Sequence, residues 1–434
     1  MLKRITLSKS AHFFATGENK LRLFAEVFFH RAFASLAILI LTTGALLSKP
    51  IEPSKPADRL IAIGDIHGDF DDFALLLKKV GLADAANHWS GGTTTLVQTG
   101  DLIDRGPKGR QVMDLLMSLE KEAASAGGHV LILLGNHEVM NILGDLRYVP
   151  AEDYAAFADG ESEKRRKTAY QEYTAWYGSH TELLAAIQEP KLSVTEEEWM
   201  QKHPGGFLEY REAMSPEGKY GKWVRQHSAV AKIGDTIFLH GGIHPNFISL
   251  KLEQMNTQIG KEIAEFDKTK ELLVSRKLIL PFFTIQEITA AVQAQLLAEG
   301  AAADAPVDPE YHDKLSKLRD FNNWLCMRGD GPLWFRGYDS WSDADGSAQM
   351  DKILAAYDAR HIVVGHTVQK LAHIRCRFEG KACLMDTGML SSYWKGGRAS
   401  ALEILGGNKF VADYLDSQEV LFEEKTPPTS GKQD

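Results

Sequence analysis

Residues 131–141 read "LILLGNHEVMN", and the break inside this stretch decides the fold. Leu131 to Leu134 make an apolar run of the length of a short strand. Gly135 ends it, and Asn136, His137 and Glu138 follow at once. A core strand that stops in three polar side chains delivers them to the end of a sheet. The same design recurs in "LIAIGDIHG" (60–68), "TLVQTGDLIDRG" (95–106), "TIFLHGG" (236–242) and "HIVVGHT" (361–367). Short apolar, β-branched-rich runs bounded by Gly read as strands buried on both faces. Ligands of α/β sheets gather at the carboxyl ends of strands, so five such ends converge on one site.

The stretches between these runs read as helices packed on the sheet. "DDFALLLKKVGL" (71–82) and "GRQVMDLLMSLEKEA" (109–123) carry apolar residues at three- and four-residue spacing. Two longer intervals, about 150–222 and 245–325, are rich in Ala, Glu, Lys and aromatics and read as helical insertions. Both leave the core directly after polar strand ends. They are therefore expected to cap the site, with Tyr148, Tyr170, Tyr173, Trp176 and Tyr177 available to line a pocket or to fill the insertion's own core.

The chain has 434 residues, 44% hydrophobic and 25% charged, with a formal charge of −9. That composition is globular. The negative balance argues against a nucleic-acid surface, which needs a basic face. Residues 1–31 are basic (Lys3, Arg4, Lys9, Lys20, Arg22, Arg31), and residues 32–48 carry no charge. Residues 1–48 read as a secretory signal or an N-terminal membrane anchor, near the lower length limit for spanning a bilayer. Either reading exports the rest of the chain, to the periplasm or to the outer side of a membrane with which the apolar segment associates. Residues 49–58 form a linker, 59–423 the catalytic domain and 424–434 a disordered tail.

Three cysteines, Cys326, Cys376 and Cys383, are too few and too scattered for a metal-thiolate cluster. A hairpin turning at Glu379-Gly380 sets Cys376 opposite Cys383, in a hydrogen-bonded position where the spacing is wide. Both a disulfide and two buried thiols are compatible with that pairing, and Cys326 is left free.

Asp65, His67, Asp101, Asn136, His240 and His366 are the strand-end residues able to bind a cation. Carboxylate, imidazole and amide oxygen make a mixed set that suits Mn, Fe or Zn better than Mg or Ca. Six ligands fit two metal ions sharing a bridging carboxylate, an arrangement that clamps both oxygens of a phosphoryl displacement.

Taken together, "GDIHG", "GDLIDRG", "GNHE", "HGG" and "GHT" resemble the signature of calcineurin-like metallophosphoesterases, and within them the phosphoprotein phosphatases. "GNHEVMNILGDLRYV", "GPLWFRGY" and "DTGM" resemble the Shewanella-like branch of that family. The resemblance implies an α/β fold with a central β-sandwich of mixed sheets flanked by helices. It implies a first metal on Asp65 and His67, a bridging Asp101, and a second metal on Asn136, His240 and His366. It also implies a general acid, His137, oriented by Asp104, with Arg105 and Arg336 gripping phosphate and Asn136 donating to it. The reaction implied is phosphomonoester hydrolysis by a hydroxide bridging the two metals. The substrate would be a protein or peptide phosphorylated on tyrosine, serine or threonine, or a small phosphomonoester. The Tyr-bearing C-terminal motif of the eukaryotic serine/threonine phosphatases is not visible. Two rivals stay open: a dinucleoside polyphosphate hydrolase of the same fold, and a catalytically inactive binding module.

Overall fold

The structure, a computed structural model, describes residues 59–187, 195–301 and 308–424. The apolar run 32–48, the linker 49–58 and the tail 425–434 lie outside them. Among the described residues no helix is long and apolar enough to cross a membrane.

Two mixed sheets face each other. The first runs in the order β11 (Gln418–Glu423), β10 (Lys409–Tyr414), β9 (Ser400–Leu405), β1 (Arg59–Ile63), β2 (Thr95–Gln98) and β3 (His129–Ile132). The second runs β4 (Val230–Ile233), β5 (Thr236–Leu239), β6 (His361–Val364), β8 (Ala382–Leu384) and β7 (Arg375–Arg377). Parallel pairing links β1 to β2 and β2 to β3 in the first sheet, and β5 to β6 and β6 to β8 in the second. Six strands therefore end at one rim.

Strand β1 shows why the central strands are apolar on both faces. Leu60 and Ala62 point into the sandwich with Val97, Phe238, Val363 and Phe410. Ile61 and Ile63, one residue out of phase, pack beneath the helices with Phe73, Leu76 and Leu116. Phe238 is fully buried, and truncating such a side chain to Ala costs about 3–5 kcal/mol. Strand β3 departs from the expectation of burial on both faces: it is an edge strand with His129 exposed and Val130 and Leu131 only half-buried.

Helices α1 (Phe70–Lys79) and α2 (Gly109–Ser125) cover the first sheet. The Asp69 carboxylate caps α1 by accepting from the Asp72 N–H at 3.2 Å, with Asp71 and Asp72 in the first turn and Lys78 and Lys79 in the last. Helix α3 (Asn136–Leu143) begins directly at the rim.

Five helices then follow: α4 (Ala151–Ala155), α5 (Ser162–Leu184), α6 (Glu196–Lys202), α7 (Phe207–Ala213) and α8 (Lys219–Val224). Between β5 and β6 lie α9 (Leu252–Ser275), α10 (Ile285–Ala301), α11 (Pro309–Arg319), α12 (Gly337–Ser340) and α13 (Asp343–Ala356). Tyr173 and Trp176 on α5 are buried against Trp199 and Phe283, and Tyr170 and Tyr177 pack beside them. These four aromatics are the core joining the two helical groups. Of the residues expected to line a pocket, only Tyr148 stands at the rim.

Strands β7 and β8 pair Cys376 with Cys383, and a disulfide joins them with Cα atoms 4.0 Å apart. The wide spacing expected from the hairpin is not observed. Glu379 (φ 60) and Gly380 (φ 83) form the turn, as a two-residue hairpin of type I′ requires. Cys326 is free and buried.

Candidate active site

Every polar residue proposed from a strand end arrives at the same rim. Asp65 follows β1, Asp101 follows β2, Asn136 follows β3, His240 follows β5 and His366 follows β6. The turns that deliver them are tight. A Cβ on Gly100 (φ 96) would collide with the Gly135 backbone, so the β2 and β3 turns can approach only through glycine. His67, Asp101, Asp104, Arg105 and His366 themselves hold left-handed backbone, at φ between 49 and 72. Such strain in non-glycine residues persists only where the surroundings impose it. Glu138 is one of those surroundings: its carboxylate accepts from the N–H groups of Gly135, Asp101 and Leu102, each at 2.8 Å.

Three imidazoles are oriented by backbone carbonyls. His67 Nδ1 donates to Ile103 O at 3.1 Å, His240 Nδ1 to Thr99 O at 2.9 Å, and His366 Nε2 to Trp334 O at 3.1 Å. A carbonyl can only accept, so each facing nitrogen carries the hydrogen and the other turns a lone pair inward. His240 Nε2 lies 2.9 Å from Asn136 Oδ1, 3.1 Å from His366 Nδ1 and 3.2 Å from Asp101 Oδ2. His67 Nε2 lies 3.6 Å from Asp101 Oδ2 and 4.0 Å from Asp65 Oδ2. Lone pairs facing lone pairs in a buried space call for cations, and Asp101 looks into both groups. The residues present therefore fit metal ions, on an observation independent of motif.

The charges agree. Burial, with Asp386 and Asp101 adding to it, pushes the Asp65 carboxyl well above the usual range. Burial alone would lower His240, but Asp101 and Asp65 outweigh it and lift that imidazole to about 9. The carboxylate charge that lifts His240 is the charge a bound cation would balance, and with a cation there Nε2 would keep its lone pair. Burial pushes His67 down to about 3 and His366 well below its ordinary value.

His137 is held differently. Its Nδ1 bonds a carboxylate, Asp104 Oδ2, at 2.6 Å, and its backbone N–H donates to Asp101 Oδ1 at 3.1 Å. Burial opposes protonation of His137, yet Asp101 and Asp104 together raise its pKa. Arg105 Nη2 sits 3.2 Å from His137 Nε2 and occupies the open side of the imidazole. Arg336 anchors on His366 O (2.6 Å) and Thr367 Oγ1 (3.3 Å) with its side chain exposed. One amide N–H of Asn136 is turned to Met140 Sδ at 3.8 Å.

The family model described as calcineurin-like phosphoesterase matches residues 58–370. The chain belongs to that family. It is 32% identical over 217 residues to Shewanella-like protein phosphatase 2 of Arabidopsis thaliana, a match covering 46% of this chain and 51% of that one. It is 25% identical over 334 residues to Shewanella-like protein phosphatase 1 of Plasmodium berghei, covering 76% and 67%. The chain thus spans about half the length of the Arabidopsis relative. The crystal structure of a cold-active protein-tyrosine phosphatase of a psychrophilic Shewanella species superposes with a TM-score of 0.52. It is 25% identical, over 84% of this chain and 80% of that one.

Four residues to which the sequence reading gives no role also stand at the site. Asp386 follows β8, a sixth strand at the rim, and is fully enclosed beside Asp65; burial raises it to about 6. The apolar "ACLM" before it repeats the strand-then-Asp design in miniature. Tyr393 stands with its ring centroid 3.8 Å from the Arg105 guanidinium carbon and 5.8 Å from the His67 ring. Asn141 and Tyr210 back the Asp104 carboxylate from helices α3 and α7. Asn141 falls within "GNHEVMNILGDLRYV", which gives it no role, and no sequence signal marks Tyr393 or Tyr210.

Proposed function

We propose that this chain is a metal-dependent phosphomonoesterase acting on phosphorylated proteins or peptides, phosphotyrosine among them. The observation that carries the reading is the convergence of inward lone pairs on Asp101 beside a carboxylate-held imidazole. Asp65 and His67 would hold one ion, Asn136, His240 and His366 the other, and Asp101 would bridge them. Two ions of Mn, Fe or Zn would lower the pKa of water to the neutral range and offset phosphate charge. Arg105 would leave His137 for the phosphate oxygens, which a planar guanidinium meets bidentately, with Arg336 opposite. That exchange frees His137 Nε2 to protonate the departing oxygen, while Asp104 stabilises the imidazolium.

The names of the Shewanella-like relatives and of the tyrosine phosphatase support a phosphoprotein substrate. A phosphopeptide panel, with metal content measured on the same sample, tests the reading. Hydrolysis of phosphopeptides by protein holding two metal equivalents is expected. Faster turnover of dinucleoside polyphosphates would replace the substrate class, and protein that takes up no metal would favour a binding module.

From the basic, then uncharged N-terminal sequence we further propose that the domain works outside the cytoplasm, released or anchored through residues 32–48. The Cys376–Cys383 disulfide supports an oxidising compartment. One free thiol in denatured, unreduced protein is expected; three would count against export.

A further inference from the structure

Behind Asp104 runs a buried chain of hydrogen bonds that begins in the helices between α3 and β4. The Tyr210 hydroxyl, on α7, donates to Asn141 Oδ1 at 2.6 Å. Asn141 Nδ2 donates to Asp104 Oδ1 and to the His137 carbonyl, both at 2.9 Å. Asp104 Oδ2 then takes the His137 Nδ1 hydrogen at 2.6 Å. Asp104 and Asn141 are fully buried and Tyr210 is 1% exposed, so these groups are shielded from bulk solvent. Burial, with Asp104 and Asp153 adding to it, drives the phenol well above its ordinary pKa and keeps it a donor.

We propose that Tyr210 is a positioning residue for the general acid, acting through Asn141 and Asp104. The argument turns on the asymmetry of an amide. Asp104 Oδ1 and the His137 carbonyl can only accept, so the nitrogen end of Asn141 must face them. The opposite oxygen needs a donor to hold that orientation, and Tyr210 supplies it. Without the hydroxyl, the Asn141 oxygen is buried and unmatched, and rotation toward another partner takes the amide nitrogen from Asp104. The carboxylate is then free to turn, and His137 loses the fixed aim that proton delivery requires. The helices that look like a mere covering thereby set how well the acid works. Tyr210 is itself fixed by edge contacts with Tyr154 (5.3 Å) and Phe157 (5.1 Å), which Tyr210→Phe preserves.

This inference rests on His137 being the acid, and the test separates the two claims. Each variant is assayed on phenyl phosphate, a poor leaving group, and on 2,4-dinitrophenyl phosphate, which leaves unprotonated. The ratio of the two kcat values cancels any unfolded or metal-poor fraction. Tyr210→Phe is expected to lower the phenyl/dinitrophenyl ratio about three- to tenfold, the worth of one net hydrogen bond, with KM unchanged. In a His137→Asn background the same substitution should change the ratio no further, because residues acting as a unit are not additive. The low-field resonance of the Nδ1 proton between His137 and Asp104 should also weaken in Tyr210→Phe, a signature that needs no turnover. A ratio unchanged in Tyr210→Phe, where His137→Asn does lower it, overturns the positioning role alone. A ratio unchanged in His137→Asn overturns the acid assignment and the inference with it.

Discussion

The Arg105 guanidinium rests over the ring of Tyr393, 3.8 Å from its centroid, while Tyr148 flanks it at 5.3 Å. Both rings are more than two-fifths exposed, so the Arg105 cation stands between two aromatic walls at the mouth of the site. Cation–π contacts of this kind are worth about 0.5–2 kcal/mol. Tyr393→Ala should therefore raise KM for a phosphopeptide by about two- to thirtyfold with little change in kcat. Tyr393→Phe, which keeps the ring, should restore it. Steady-state kinetics decide; a fall in kcat at constant KM would mean that the ring serves the chemical step.

His137→Asn should slow poorly activated esters by about 10²–10⁴-fold, the usual worth of a general acid, while metal stoichiometry stays near wild type. Activated aryl phosphates should lose far less. Equal losses on both would remove His137 from proton delivery.

Asp101 faces both groups of lone pairs, so its loss should be felt by both metals. Asp101→Asn is expected to lower metal content at each position and to abolish turnover. Chelation of the wild type should lower Tm, since ions that bind only the folded chain stabilise it by mass action. Elemental analysis and melting curves on the same samples check this. An unchanged stoichiometry in Asp101→Asn would show that the two groups are held independently.

Asp153, on α4, accepts from the Gly109 N–H at 3.0 Å and has a second carboxylate oxygen with no partner. Burial, reinforced by Asp104, raises it from 3.8 to about 7. A carboxyl whose folded pKa is raised binds its proton more tightly in the folded state, so stability is lost as pH climbs from the unfolded value through the folded one. The loss is at most about 4 kcal/mol, roughly three units at about 1.36 kcal/mol each. Asp153→Asn should thus melt higher than wild type at about pH 8 and differ less at about pH 5.5. A Tm difference independent of pH would show that the ionised form is not the source.

The convergence of the strand-end residues at one rim was legible in the sequence for a physical reason. Each of Asp65, Asp101, Asn136, His240 and His366 sits one to four residues beyond an apolar run, and strand polarity alone carries it to the rim. Asp386 uses the same route, but β8 is only three residues long, too short to stand out. Asn141 and Tyr210 meet across 69 positions from two helices, and nothing local announces that meeting. The aromatics of α5 show the converse failure. Tyr173 and Trp176 have a spacing that serves a pocket or a core equally well, and only the packing of Phe283 and Trp199 against them decides for the core. Strand β3 looked like an interior strand because apolar composition does not tell an edge from a centre.

Left-handed backbone at His67, Asp101, Asp104, Arg105 and His366 sets heat resistance against turnover. Each such residue forgoes about 1–2 kcal/mol that glycine would not. Glycine at any of the five would relax the loop and, by that measure alone, toughen the protein. A selection that scores only survival on heating would therefore be drawn toward the residues to which the proposed chemistry assigns roles, and its winners should have lost phosphatase activity.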